Sequence, residues 1–191
     1  MSKPIVNGRW LQAEQIPSPN CDERPDPADI SLIVIHCISL PPGQYGGNAI
    51  ERFFCNVLPA GEHAYFEQIA ELTVSAHLLI RRDGSPQQFV DFGARAWHAG
   101  QSCYAGREAC NDFSIGIELE GLDTDTYTDA QYQSLATICA ALIAEYPGLD
   151  SERIAGHEAI APGRKTDPGP GFDWPRFRAL LEAQQAQGNT A

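Results

Sequence analysis

Two histidines and an aspartate stand out among the residues that could do chemistry. His36 lies near the end of the apolar run Ser31-Leu32-Ile33-Val34-Ile35-His36-Cys37-Ile38, and His157 and Asp167 lie in the stretch from Ala155 to Pro170. Two imidazoles and one carboxylate around a zinc ion leave a fourth tetrahedral position for water, the arrangement of a catalytic rather than a structural site. Each residue also has an ordinary reading: His36 as a hydrogen-bonded core histidine, and 155–170 as a solvated loop with incidental charges. The stretch packs His157, Lys165 and Asp167 into eleven residues among three glycines and three prolines, a composition that fixes a backbone and can hold ligands in a set geometry. Glu118, first acid of Ile115-Gly116-Ile117-Glu118-Leu119-Glu120-Gly121, reads either as a solvated carboxylate or as a general acid/base beside the metal. No HExxH occurs, which excludes a thermolysin-like helix.

The elements that must position these side chains follow from pattern. Residues 31–38, apolar on both faces and stopped by Pro41-Pro42-Gly43, read as a buried central strand. Residues 113–121 alternate, with Ile115, Ile117 and Leu119 on one face and Ser114, Gly116, Glu118 and Glu120 on the other, so one face can take helices and the other can floor a cleft. Runs 74–80 and 87–90 flank Asp83-Gly84 and predict a hairpin. Residues 43–72 read as a long connection with a helix or two, including Asn48 to Phe54, and 91–111 as a loop. Thr128-x-x-Gln131 is a capping box opening a helix with Tyr132, Leu135, Ile138, Cys139, Leu142 and Ile143 on one stripe, stopped at Pro147-Gly148. Asp173 is the N-cap of a closing helix with Pro175 in its first turn, running through Phe177, Leu180 and Leu181. Prolines 17, 19, 25 and 27 predict that residues 1–30 wrap the surface in irregular, extended form. The expected fold is α/β: a single domain at 1–185 with a central mixed β-sheet flanked by α-helices, and a frayed tail at 186–191.

Composition narrows the partners. The chain is 43 % hydrophobic and 20 % charged, and its 13 basic and 25 acidic residues leave a net charge of −12; mean hydropathy is −0.27. Such an acidic surface repels phosphate backbones and anionic lipid heads, so neither nucleic acid nor membrane is the expected partner, and no obligate protein partner is inferred. The six cysteines contain no CxxC pair, the N-terminal residues lack an apolar leader core, and no apolar run reaches bilayer length; together these predict a cytosolic protein with reduced thiols.

Several blocks in order then carry a resemblance: Val34-Ile35-His36, Val74-Ser75-Ala76-His77, Arg95-Ala96-Trp97-His98-Ala99-Gly100, Cys110 to Gly121, Tyr127 to Tyr132, and Arg164-Lys165-Thr166-Asp167-Pro168-Gly169. From about Trp10 to Leu180 the sequence resembles the AmpD-type amidases, cytosolic zinc enzymes of peptidoglycan recycling that share the fold of the peptidoglycan-recognition group. The resemblance implies one zinc ion (Zn2+) held by His36, His157 and Asp167, Glu118 as catalytic acid/base, and Lys165 as the cation facing the tetrahedral oxyanion. It implies hydrolysis of the amide between (1,6-anhydro)-N-acetylmuramic acid and L-alanine in a small muropeptide. Cys37 stands where many members have Asn, and Ala159 where many have Asp. Trp97 and His98 are expected to contact substrate at the cleft wall, with ordinary packing as the alternative for the indole; His63 and His77 are expected to be core or surface residues. Two rival functions remain at this stage: a zinc-free module that binds peptidoglycan fragments, and a zinc endopeptidase acting on the stem peptide.

Overall fold

The structure is a computed structural model that describes residues 3–188. Its central sheet has six strands: β1 (Glu14–Gln15), β2 (Leu32–Ile38), β3 (Leu78–Ile80), β4 (Pro86–Gln88), β5 (Ser114–Glu120) and β6 (Ile154–Gly156). They lie in the order β6-β2-β5-β3-β4-β1. The β6/β2, β2/β5, β5/β3 and β4/β1 pairs are parallel, and only the β3/β4 hairpin is antiparallel. Among the described residues five α-helices flank the sheet: α1 (Ala49–Phe54), α2 (Ala64–Ile69), α3 (Asp129–Glu145), α4 (His157–Ile160) and α5 (Trp174–Gly188). The mixed sheet with flanking helices agrees with the expected fold class.

Alternation along β5 assigns the two faces. Ile115, Ile117 and Leu119 join Ile33 and Ile35 of β2 in one cluster with Leu135, Ile138 and Leu142 of α3 and Phe177 and Leu181 of α5. On the other face, Leu79 packs with Ile50, Phe53 and Phe54 of α1 and Phe66 of α2, while Leu32 and Val34 pack with Ile160 of α4. The two long helices therefore seal one side, and the short ones leave room on the other.

Local signals set the helix ends. The Thr128 hydroxyl accepts from the Gln131 amide at 3.1 Å, and the Gln131 side chain accepts from the Thr128 N–H at 3.1 Å, so both halves of the capping box form. Gln131 also donates to the carbonyls of Ile80 and Glu120, tying α3 to the ends of β3 and β5. Asp173 accepts from the Arg176 amide at 3.0 Å, as an N-cap residue should.

Two expectations need correction. The described part of the N-terminal segment, residues 3–30, is more ordered than the prolines predicted. Ile5–Val6 and Arg9–Trp10 form a hairpin about Asn7-Gly8, both at positive φ, and β1 adds an edge to the central sheet. Cys21–Asp22 pairs with Arg95–Ala96. The segment 91–111, expected as a loop, holds a second hairpin, Cys103–Tyr104 with Arg107–Glu108, about Ala105-Gly106. Asn-Gly is a strong turn signal that could have found the first; strands of two residues carry no periodicity that could have found the others. The closing helix continues past 185 to Gly188, and residues 189–191 of the expected tail lie outside the described residues.

Candidate active site

Register across three parallel strands assembles the site. Glu118 on β5 is the direct partner of His36 on β2. Gly156, last residue of β6, pairs with Ile35, so the next residue, His157, comes level with His36. The three side chains form a row at the carboxyl ends of adjacent parallel strands, where open α/β sheets present their ligand sites. Asp167 returns from the 161–167 loop, held by the Glu158 N–H donating to the Asp167 carbonyl at 2.9 Å. The Tyr127 hydroxyl clamps the loop from the other side by donating to the Pro168 carbonyl at 3.0 Å.

The spacing is tight. His36 Nδ1, His157 Nδ1 and Asp167 Oδ2 are each 3.0 Å from the other two. Zinc ligands at about 2.0–2.1 Å stand about 3.3 Å apart on a tetrahedron, so a small inward cation fits this triangle. No other three-residue group of this kind occurs among the described residues. Both histidines are buried, and each uses its outer nitrogen elsewhere: His157 Nε2 lies 3.1 Å from the Ala99 carbonyl, His36 Nε2 2.9 Å from His98 Nδ1. Partners of that kind leave the inner Nδ1 atoms as lone pairs, which is the donor chemistry a divalent cation requires.

Electrostatics separate the two carboxylates. Burial would raise the Asp167 carboxyl, but the two imidazoles beside it win and hold it well below the usual range. Burial pushes the Glu118 carboxyl well above its ordinary value; the Asp167 charge adds to this and the Lys165 ammonium opposes it. Its Oε2 is buried without a hydrogen-bond partner. Burial lowers His36 to about 4, against the hydrogen bond to Asp167, which raises it. Asp167 is thus held charged while Glu118 takes up a proton more readily than an ordinary carboxylate, the division expected of a ligand and an acid/base.

A cavity of about 410 Å³ opens over this row. Glu118, Lys165, Asp167, His36 and His157 line one part, and Leu40, Phe53, Tyr65, Leu72 and Trp97 line an apolar part. All seven site residues read from the sequence meet at this cavity: His36, His157, Asp167, Glu118, Lys165, Trp97 and His98. His98, however, has both ring nitrogens engaged within the protein. Cys37 also borders the cavity, its thiol pushed up to about 12 by burial.

The comparisons with known proteins agree with this geometry. The sequence pattern of the N-acetylmuramoyl-L-alanine amidase family matches residues 26–170. The chain belongs to the AmpD-type N-acetylmuramoyl-L-alanine amidases. It is 59 % identical over 173 residues to the 1,6-anhydro-N-acetylmuramyl-L-alanine amidase AmpD of Salmonella typhimurium strain SL1344, covering 90 % of this chain and 92 % of that protein. A crystal structure of a selenomethionine derivative of AmpD superposes with a TM-score of 0.90 at 57 % identity, covering 93 % of this chain and 98 % of that one. A complex of the amidase AmiD from E. coli with its substrate, anhydro-N-acetylmuramic acid-L-Ala-D-gamma-Glu-L-Lys, is more distant. Its TM-score is 0.59 at 28 % identity, covering 80 % of this chain and 57 % of that one.

Sequence reasoning about this amidase passed over Arg164, which lines the cavity and donates to the Ala99 and Gln101 carbonyls, each at 2.6 Å. The signal was present, since Arg164 adjoins Lys165 in the same loop, but the pattern gave it no partner. It also passed over the buried pair behind the site. His77 is wholly buried, and Arg24 reaches in from the N-terminal segment to the carbonyls of Phe92, Asn111, Asp112 and Ser114. Nothing local in the sequence marks Arg24 as buried.

Proposed function

We propose that this amidase is zinc-dependent and hydrolyses the amide joining (1,6-anhydro)-N-acetylmuramic acid to L-alanine in muropeptides, as a step of peptidoglycan recycling in the cytosol. The observation that carries the reading is the row of His157, His36 and Glu118 across three parallel strands, closed by Asp167. The high identity to AmpD and the substrate bound in the AmiD complex support the choice of bond. Six unpaired cysteines support a reducing compartment. Among the described residues no helix is long and apolar enough to cross a membrane.

His36, His157 and Asp167 would hold the ion, and zinc there supplies Lewis acidity and lowers the pKa of a water it binds towards about 7. The rest of the chemistry falls to this chain's own side chains. Glu118, desolvated and unpartnered at Oε2, takes a proton from the attacking water and returns it to the departing alanine nitrogen, which leaves as an amine. The Lys165 ammonium stands on the same cavity and offsets the negative charge that develops on the carbonyl oxygen. Trp97, with its indole nitrogen buried and unpartnered, gives the apolar wall a flat face for a sugar ring or stem residue.

Incubation of the zinc-loaded protein with anhydromuramyl tripeptide, followed by mass analysis, tests the reading. Free anhydromuramic sugar plus an intact tripeptide is expected. Cleavage within the stem would make it an endopeptidase, and binding without products would make it a recognition module; either overturns the proposal.

A further inference from the structure

His98 lines the cavity and meets the outer nitrogen of His36, away from the nitrogen that faces His157 and Asp167. Its backbone and that of Ala99 are fixed by N–H groups donating to Asn111 Oδ1, at 3.1 and 2.8 Å. Its ring lies against Gly116 of β5, so close that a Cβ on residue 116 would fall 2.4 Å from the imidazole Cγ. The ring meets His36 edge-on, with centroids 5.0 Å apart.

Protons along this contact can be assigned from the far end. The Ser114 hydroxyl lies 2.5 Å from the Cys110 carbonyl oxygen. A carbonyl has no proton to give, so Ser114 must donate to it. Ser114 Oγ is then free to accept, at 3.2 Å, from His98 Nε2–H. That leaves a lone pair on His98 Nδ1 in a neutral ring, and the His36 Nε2–H donates to it across 2.9 Å. A neutral His36 with its proton on Nε2 carries its lone pair on Nδ1, the atom facing His157 and Asp167.

We infer that His98 is a positioning residue for the metal: it selects the Nε2–H tautomer of His36 and fixes the plane of that ring, with Ser114 as the anchor. The neighbouring Ala99 carbonyl performs the corresponding task for His157 at 3.1 Å, so two consecutive residues of one loop orient both imidazole ligands. Metal-ligating histidines generally owe their basicity and orientation to a partner on the distal nitrogen, and loss of that partner costs about 10–100-fold in metal affinity. The Gly in Gly-Ile-Glu gains a reason here, since only a residue without a side chain lets His98 lie across the strand.

The inference rests on the zinc reading proposed above, and its test reads affinity rather than turnover. Zinc dissociation constants of the full chain are measured by competition with a chromophoric chelator for wild type, His98→Leu, His98→Asn and Ser114→Ala. His98→Leu keeps bulk but has no acceptor, and a loss of about 10–100-fold is expected. His98→Asn can present Oδ1 where Nδ1 stood and should stay within about threefold of wild type, while Ser114→Ala should fall between them. Unchanged affinity in His98→Leu overturns the inference, as do equal losses in the Leu and Asn variants, which would mean packing alone. Should His98→Leu not fold, Ser114→Ala decides, and wild-type affinity there overturns it. A wild-type protein that binds zinc but releases no anhydromuramic sugar sinks the amidase reading and leaves this one to the affinities. A wild-type protein that binds no zinc sinks both.

Discussion

Replacing Gly116 by alanine adds one methyl group where the structure has a ring. The new Cβ would stand 2.4 Å from His98 Cγ, 2.6 Å from Nδ1 and 2.7 Å from Cδ2, whereas ordinary contact begins at 3.4 Å. The ring would have to retreat by about 1 Å, taken as the gap between 2.4 and 3.4 Å. It has nowhere convenient to go, because His36, His77 and Ser114 surround it. Overpacking of this kind costs about 1–3 kcal/mol. A chain of this length loses about 2–4 °C in Tm per kcal/mol, so the chelator-treated variant should melt about 2–12 °C below wild type. The same retreat would break the 2.9 Å His36–His98 hydrogen bond, so the rise in Tm on adding zinc should also shrink. Thermal melts with chelator and with zinc, run side by side, read both quantities. A Gly116→Ala protein that melts with wild type and gains as much from zinc would refute the packing argument.

Glu118→Gln should keep its zinc while turnover falls by about 10²–10⁴-fold, since only the acid/base is lost; metal analysis with the amidase assay separates this from His36→Ala and Asp167→Ala, which should lose the metal. Glu120→Ala should cost about 1–3 kcal/mol in urea unfolding, because it removes the carboxylate 2.9 Å from the buried Arg81 guanidinium, which keeps Glu51, Gln87 and the Gly47 carbonyl, and frees the Gly46 and Arg82 amides that the carboxylate accepts from. Acid should destabilise the metal-free protein through His77, which burial and then the Arg24 charge lower from 6.5 to about 3. Between those values the unfolded chain takes up a proton that the native ring refuses. The His77 contribution is therefore complete above pH 6.5 and is lost as pH drops towards 3, by about 2 kcal/mol at pH 5, and His36, lowered to about 4, adds loss of the same sign. Urea midpoints at pH 7 and pH 5 check this, and a flat profile would contradict it.

The strongest local patterns in the chain determined a good deal unaided. The β-branched run ending at His36 and the alternation from Ser114 to Glu120 carry enough residues to announce strands and faces. Thr128 with Gln131, and Asp173, announce helix starts, because a cap bonds within its own few residues. The types of the site residues were legible for the same reason: an imidazole or carboxylate is chemistry wherever it sits. Only the tertiary structure decided how they meet. Glu118 comes level with His36, and His157 beside it, through parallel pairing of segments 82 and 121 residues apart, which no local rule encodes. Strands as short as β1 and β6 leave no periodic trace and exist because a longer neighbour offers them hydrogen bonds. The tautomer of His36 is more remote still, being set by His98, by Ser114, and finally by a backbone carbonyl at Cys110 that can only accept.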